Sequence, residues 1–253
     1  MSGVWGRASA RAPEGRGAGG DGTVYIDTLA EEIVLAHLDE EHRRGRHFGL
    51  ISEEAGEREY GPGGDIVVVD PIDGSHNAKM GIPYFSLTLA ASRDRSYGGV
   101  YEACVRNLVT GDHFEASRGG GARLNGGPLQ LSVEGDAINM LQLEPPRSIE
   151  RLPDYAGLMS RAQKIRMLGS AALNICLVAS GALSLSVAPS LRSVDCAASL
   201  LILAEAGGLA VDLEGLELDG LDMALDVRSG VVAAANRAIL ETGLRELPTH
   251  RFG

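Results

Sequence analysis

Hydrophobic and polar positions alternate with a helical period near the start of the chain. Thr28 and Glu31 form a capping-box pattern, and four residues at helical spacing mark the face we expect to be buried: Leu29, Ile33, Ala36 and Glu40. Basic residues precede Gly45, which is typical of a helix C-terminus. The pattern therefore predicts a helix over 28–44.

The next part of the chain carries strand patterns. Short apolar runs at 48–51 and 66–69, separated by a glycine- and proline-rich turn at 60–64, predict buried strands. Between 86 and 131, short β-type runs alternate with glycine turns. This spacing predicts an antiparallel meander.

The second half alternates strands and helices, as an α/β unit does. The predicted elements are a strand at 138–143, a helix at 169–179, a strand at 184–187 and a helix at 196–206. Residues 167–191 contain no charge, but glycines, serines and a proline interrupt them. We therefore interpret them as a buried helix followed by a buried strand, and not as a membrane span.

These patterns divide the chain into three expected parts. Residues 1–21 form a glycine-rich, flexible lead-in without the apolar stretch of a secretory signal. An α+β subdomain at 22–131 precedes an α/β subdomain at 132–253. A chain of 253 residues is long enough to bury a sizeable core across two such units.

Charge and cysteine content narrow the range of partners. A formal net charge of −11 argues against nucleic acid and against an anionic membrane surface. The three cysteines, Cys104, Cys176 and Cys196, show no zinc-ligand spacing and are too few for a disulfide framework. We expect a soluble, cytoplasmic protein with free thiols.

Acidic residues collect at the ends of two predicted strands. Glu53 and Glu54 end one strand, and Asp70 and Asp73 end the next. Carboxylates that converge in this way repel one another unless a cation lies between them. Oxygen ligands of this kind suit Mg²⁺, with Mn²⁺ as a substitute.

Two further features extend this acidic site. Asp195 opens the apolar helix predicted at 196–206. Gly74 allows close approach of the backbone, and the segment 75–77 offers N–H groups for an anion. Carboxylates for a metal beside donors for an anion are what a phosphate ester requires.

Other interpretations of the same residues remain open at this point. Acidic residues after strands often serve as turn formers or helix caps, and Asp195 would then be an N-cap. The D-x-x-D spacing of Asp70 and Asp73 differs by one residue from the D-x-D-G pattern of haloacid-dehalogenase phosphatases. A serine hydrolase is disfavoured because G-x-S-x-G does not occur.

Several strings together resemble the inositol monophosphatase superfamily. They are SEE at 52–54, VVVDPIDGSHN at 67–77, GIPYFSLTLA at 81–90, FEASRGGGARLNG at 114–126 and VDCAASLLILAEAGG at 194–208. The opening at 20–32 is similar to the archaeal-type branch, whose members often hydrolyse both inositol monophosphate and fructose 1,6-bisphosphate. The resemblance implies a magnesium-dependent phosphomonoesterase with a layered αβαβα fold, and a homodimer.

The resemblance also implies roles for individual residues. Metal ligands would be, in chain order, Glu53, Asp70, the Ile72 carbonyl, Asp73 and Asp195. Asp70 would bridge two ions, Glu53 and Ser75 would orient the attacking water, and Asp27 matches a position that can help to hold a third ion. Glu54 is a candidate for a supporting position behind these ligands.

Substrate contacts are implied in the same way. Backbone amides of Gly74 and Ser75 would bind the phosphate, with Asp73 close by. The stretch that contacts the organic part of the substrate contains Arg166, Gly169, Ser170 and Ala171.

Ala188 and Ser186 occupy positions where bifunctional relatives carry a basic and an acidic residue. With Arg166 and Arg192 as the remaining anchors, we expect a preference for monophosphates of small polyols over fructose 1,6-bisphosphate. Alternatives are a 3′-phosphonucleotide or dinucleotide-phosphate phosphatase of the same superfamily, and a non-catalytic homologue that binds a phosphorylated metabolite.

Overall fold

The computed structural model describes residues 5–7, 9, 12–16, 18, 22–146 and 148–248. The strands are β1 (Pro13–Arg16), β2 (Gly22–Val24), β3 (Phe48–Ser52), β4 (Gly56–Tyr60), β5 (Asp65–Asp73), β6 (Ser86–Ser92), β7 (Val100–Asn107), β8 (His113–Ser117), β9 (Gly121–Leu124), β10 (Gly127–Leu129), β11 (Ile138–Leu143), β12 (Ala162–Arg166), β13 (Leu185–Arg192), β14 (Leu209–Val211) and β15 (Arg228–Ala234). The helices are α1 (Tyr25–Arg43), α2 (Ser75–Met80), α3 (Ala156–Arg161), α4 (Ala171–Ala179), α5 (Ser193–Glu205) and α6 (Arg237–Glu246).

Two sheets and three helical layers form an αβαβα stack. The first sheet has the strand order β10-β9-β8-β7-β6-β5-β3-β4, and the second has the order β12-β11-β13-β15-β14. Helices α4 and α5 pack against both sheets, α1 packs on the outer side of β5, and α6 packs against β13 and β15. The layered fold predicted from the resemblance is confirmed.

The middle layer explains the apolar character of its helices. Most residues of α4 and α5 are buried, because a sheet covers each side of these helices. Their side chains share one core with the inner faces of both sheets. Smaller clusters of buried residues lie beneath α1.

Most predicted elements of the second half are confirmed. The strand at 138–143 has the predicted bounds, and the uncharged segment forms α4 followed by β13. Within the described part of the chain, no helix is long and apolar enough to cross a membrane. Strands β6 to β10 form the predicted antiparallel meander.

The first helix differs from its prediction in two ways. It begins at Tyr25, so Thr28 and Glu31 lie inside it and form no capping box. The buried face is also different, since Ile33 is 41% exposed whereas Asp27 and Glu31 are buried. The periodicity assigned the wrong face because two carboxylates belong to the buried one.

The two sheets occupy different stretches of the chain. The first sheet ends at Leu129 and the second begins at Ile138; the subdomain division at 131 remains a prediction. In the predicted lead-in, β1 pairs antiparallel with β2. Much of the lead-in lies outside the described residues.

Candidate active site

Three carboxylates converge where β3, β5 and α5 meet. Glu53 follows β3, Asp70 lies in β5, and Asp195 lies in the first turn of α5. One oxygen from each residue lies within 4.8 Å of the others. The helix α5 begins at Ser193, so Asp195 is not the N-cap that the alternative interpretation required.

Local backbone structure explains why Glu53 and Asp70 meet. Strands β3 and β5 are parallel neighbours with Ser52 opposite Val69, so the following residues lie side by side. The Glu53 N–H donates to the Val69 carbonyl at 3.2 Å. Adjacent parallel strands thus deliver both acidic residues to the same edge of the sheet.

The electrostatic environment of Asp70 is unfavourable for a lone carboxylate. Its side chain is only 2% exposed. Burial raises the pKa of Asp70 well above its usual value, and the nearby carboxylates of Asp195 and Asp73 raise it further. The Ile72 N–H opposes this effect through a hydrogen bond of 2.9 Å to Asp70 Oδ1.

A buried arginine lies against the same cluster. Arg192 directly precedes α5, is 4% exposed and forms an ion pair with Glu53. Arg192 was predicted from the sequence to be an anchor available to the substrate. This prediction was wrong, because the side chain is buried and its guanidinium is engaged by Glu53.

The residues present fit a divalent cation. The three side chains supply oxygen atoms only, which is the ligand type of Mg²⁺ and Mn²⁺. Carboxylates held this close, with Asp70 almost fully buried, repel one another, and a cation between them would relieve that repulsion.

Asp73 has a different set of partners from those three carboxylates. Its oxygens accept hydrogen bonds from the hydroxyls of Ser86 and Ser170 and from the backbone N–H groups of Ala171 and Ala172, the latter two at 2.9 Å. Asp73 therefore binds the N-terminus of α4, which accommodates negative charge. Burial nevertheless raises its pKa.

The turn after Asp73 is shaped by glycine. The register of β5 against β6 shifts between Asp70 and Asp73, which places a bulge at 71–72. Gly74 follows with φ of +86°, and a Cβ atom there would lie 3.0 Å from the Gly169 carbonyl oxygen. Only glycine fits both the left-handed conformation and this close approach.

The segment 168–170 is held against this turn. Asn77 Nδ2 donates to the carbonyl oxygens of Leu168 at 2.7 Å and of Tyr84 at 2.8 Å. Three of the predicted substrate residues, Gly169, Ser170 and Ala171, thus lie beside Asp73 and α2. The sequence analysis considered Asn77 only for its backbone N–H group and did not predict these side-chain hydrogen bonds.

Asp27 lies outside the three-carboxylate cluster. It is buried in the first turn of α1, and its carboxylate pairs with the Lys79 ammonium of α2 at 2.9 Å. One turn later, Glu31 accepts hydrogen bonds from the Ser52 hydroxyl at 2.8 and 3.0 Å. Burial raises the pKa of Glu31, the Ser52 hydroxyl opposes this effect, and the charge of Glu54 raises the pKa further.

The predicted specificity residues occupy the second sheet. Arg166 ends β12 and is exposed, with its guanidinium donating to the Ile165 carbonyl. Ser186 and Ala188 lie in β13 and are each 4% exposed. Neither of these two side chains carries a charge into the site.

Sequence reasoning missed Glu144, which follows β11 directly. Its carboxylate accepts hydrogen bonds from Asn174 Nδ2 at 2.7 Å and from Gln142 Nε2 at 3.0 Å. The signal that identified Glu53 and Asp70, an acidic residue at a strand end, is also present at Glu144. It is weaker there because Glu144 has no acidic neighbour in the sequence.

Comparisons with known proteins find relatives along nearly the whole chain. The sequence model of the inositol monophosphatase family matches residues 7–251. Fructose-1,6-bisphosphatase/inositol-1-monophosphatase of Thermococcus kodakarensis is 31% identical over 96% of this chain and 90% of its own length. The bifunctional NADP phosphatase/NAD kinase of Methanococcus maripaludis is 31% identical over 90% of this chain, but over only 43% of its own length.

A solved structure supports the same relationship. A crystal structure described as an inositol monophosphatase–fructose 1,6-bisphosphatase gene product superposes with a TM-score of 0.85 and is 28% identical, covering 98% of this chain and 93% of that chain. The strand-end acids, the layered fold and the match over nearly the whole chain lead to one conclusion. The chain belongs to the inositol monophosphatase family.

Proposed function

We propose that this phosphoric monoester hydrolase cleaves the phosphate esters of small polyols and sugars at the three-carboxylate cluster, with Mg²⁺ as its cofactor. The observation that carries the proposal is the convergence of Glu53, Asp70 and Asp195, with oxygens within 4.8 Å of one another. The glycine turn at Gly74 and the N-terminus of α4 lie on either side of Asp73, three residues after Asp70, and would supply N–H groups for the phosphate. Mn²⁺ would serve as a substitute because it accepts the same oxygen ligands.

The family pattern suggests which residues would hold the cations, and the closeness of Glu53, Asp70 and Asp195 supports three of them. Glu53, Asp70 and the Ile72 carbonyl would form one site, and Asp70, Asp73 and Asp195 would form the other. When bound, two such cations lower the pKa of a water molecule and stabilise the leaving oxygen. Asp27 is a candidate for a third position, although its carboxylate already has the Lys79 ammonium as a partner.

The chain itself binds and orients the reactants. The first N–H groups of α2 have no partner within the helix, and Gly74 brings the backbone close to this turn. Backbone N–H groups of Gly74 and Ser75 would therefore hold the phosphate. The Glu53 carboxylate and the Ser75 hydroxyl would orient a water molecule for attack on phosphorus, opposite the leaving oxygen.

Charge favours monophosphates as substrates. A second phosphate group requires its own basic partner. Arg192 is buried against Glu53, and Ala188 is uncharged, so Arg166 is the remaining candidate anchor among those predicted. We expect kcat/KM for inositol 1-phosphate to exceed that for fructose 1,6-bisphosphate, and Ala188→Arg to narrow the difference.

The test is phosphate release with Mg²⁺, with and without a chelator. We expect chelator-sensitive release from inositol 1-phosphate, with Asp70→Asn inactive and the exposed Asp65→Asn variant active as a matched control. Absence of release from every ester with the metal present would support the non-catalytic, metabolite-binding alternative. A homodimer, proposed from the family resemblance, is tested by light scattering on the same preparation.

A second candidate activity has one specific observation in its favour. The Methanococcus maripaludis relative is named for an NADP phosphatase activity. A dinucleotide phosphate or a 3′-phosphonucleotide therefore belongs in the same phosphate-release assay. A higher kcat/KM for either compound than for inositol 1-phosphate would select this alternative.

A further inference from the structure

Three strands of the second sheet bring one carboxylate to the edge of the proposed active site. Strands β12, β11 and β13 are parallel neighbours, with Gln142 between Arg166 and Ser186 in register. Ligands of open α/β sheets bind outside the carboxyl ends of such strands. Glu144 follows β11 at this edge, and its N–H donates to the Val187 carbonyl at 2.8 Å.

The connection after β12 ties this edge to the reacting centre. In this connection, the Gly169 carbonyl oxygen lies against Gly74. The Ser170 hydroxyl donates a hydrogen bond to the Asp73 carboxylate. Glu144 accepts a hydrogen bond from the Gly169 N–H. The Asp73 carboxylate raises the pKa of Glu144, second only to burial, so the two groups lie within electrostatic range of each other.

The Glu144 carboxylate is oriented but retains acceptor capacity. Oε1 takes the hydrogen bonds from Gln142 and Asn174, and Asn174 is in turn fixed by the Tyr84 hydroxyl at 2.9 Å. An ionised carboxylate offers about four lone-pair sites. Glu144 is half-buried, and the hydrogen bonds from Gln142 and Asn174 go to Oε1 and not to Oε2.

We propose that Glu144 accepts a hydrogen bond from a hydroxyl group on the organic part of the substrate and thereby selects polyol phosphates. Ser186 and Ala188 on the neighbouring strand contribute no charge to this side, so Glu144 supplies the carboxylate there. A site built to bind a hydroxyl group rejects the analogue that lacks it. This inference rests on the proposed phosphatase function.

The experiment compares two esters of the same ring. Inositol 1-phosphate carries hydroxyl groups around its six-membered ring, whereas cyclohexyl phosphate has none. For Glu144→Gln we expect kcat/KM for inositol 1-phosphate to fall about 10-fold or more, because the loss of a hydrogen bond to a charged group has an effect of this size. For cyclohexyl phosphate we expect a change below about 2-fold, within the effect of a neutral surface change.

Three controls separate substrate contact from a structural role. Inhibition by inorganic phosphate should be unchanged in Glu144→Gln, because phosphate has no hydroxyl-bearing ring. The exposed Glu150→Gln variant, six residues further along the chain, should match the wild type with both esters. Glu144→Asp, which keeps the charge, should recover part of the activity toward inositol 1-phosphate.

The outcomes are distinguishable. Equal losses for both esters, or weaker phosphate inhibition, would mean that Glu144 only supports the segment 168–170, and would overturn the inference while leaving the phosphatase function intact. A wild-type protein that hydrolyses neither ester would overturn the proposed function and the inference with it. A loss confined to inositol 1-phosphate supports the role of Glu144.

Discussion

Replacing Asp70 by asparagine should stabilise the metal-free protein while it abolishes activity. The amide side chain would keep an oxygen that accepts the hydrogen bond of the Ile72 N–H, which Asp70 Oδ1 accepts at 2.9 Å. The substitution removes one buried negative charge beside Glu53 and Asp195. The substitution therefore changes the charge of the cluster but leaves its packing almost unchanged.

The magnitude follows from the separation of the carboxylates. Two unit charges at the 4.8 Å limit repel each other by ~3.5 kcal/mol at an effective dielectric constant of about 20. Arg192 offsets part of the charge on Glu53. The repulsion that Asp70→Asn removes is therefore mainly the one between Asp70 and Asp195. We expect a gain of up to ~3 kcal/mol in the free energy of unfolding, or a rise in Tm of about 6–12 °C.

The sign of the pH dependence provides a second check. The folded-state pKa of Asp70 is raised, so the stability of the wild type falls as pH rises from the unfolded value of about 3.9 through the folded value. Asparagine does not titrate. The advantage of Asp70→Asn should therefore be largest near pH 8 and vanish near pH 4.

The assay is thermal and urea unfolding of chelator-treated protein at both pH values, repeated with Mg²⁺. At a Mg²⁺ concentration about 100-fold above its Kd, the wild type should gain ~2.7 kcal/mol, and Asp70→Asn should gain almost nothing. Asp65→Asn, on the exposed start of the same strand, controls for the loss of one negative charge. A metal-free Asp70→Asn protein that is less stable than the wild type at pH 8 would refute this account.

Three other substitutions test neighbouring parts of the site. Arg192→Met should lower the free energy of unfolding of the metal-free protein by about 3–5 kcal/mol, because it removes the cation that pairs with Glu53. Urea unfolding with saturating Mg²⁺ should show that the metal recovers part of this loss. Gly74→Ala should cost more stability than the ~1–2 kcal/mol of a left-handed alanine, whereas Gly63→Ala, with open space around it at φ of +70°, should cost only that amount. Glu53→Gln should reduce kcat more than Glu54→Gln does, and equal reductions would remove the distinction between a metal ligand and its supporting residue.

The convergence of Glu53 and Asp70 could be predicted because local rules determine it. Apolar runs identified two neighbouring strands, and residues that follow parallel strands lie at one sheet edge. The apolar helices α4 and α5 were predicted for a similar reason, since only a helix covered on both sides can be apolar all round. The predicted start of α5, directly after Asp195, lies three residues beyond the observed start at Ser193.

Contacts made by buried polar groups could not be predicted in the same way. The buried face of α1 includes Asp27 and Glu31, whose partners Lys79 and Ser52 lie on other elements. Hydrophobic periodicity favours the opposite assignment, because it counts every carboxylate as exposed. The same limit hid the Arg192–Glu53 ion pair, which forms only when β13 and β3 approach in the folded chain.

Helix ends and one guanidinium offset only part of the negative charge at this site. The α4 N-terminus binds Asp73, and Asp195 lies in the first turn of α5. A helix N-terminus stabilises a nearby carboxylate by about 0.3–1 kcal/mol, and by up to ~2 kcal/mol when the carboxylate is partly buried. Repulsion within the cluster reaches ~3.5 kcal/mol for each ionised pair at the 4.8 Å limit. Repulsion therefore remains among the carboxylates where Glu53, Asp70 and Asp195 meet. A divalent cation bound there would supply positive charge to all three carboxylates at once, so metal binding and folding stability should change together in every variant of these three residues.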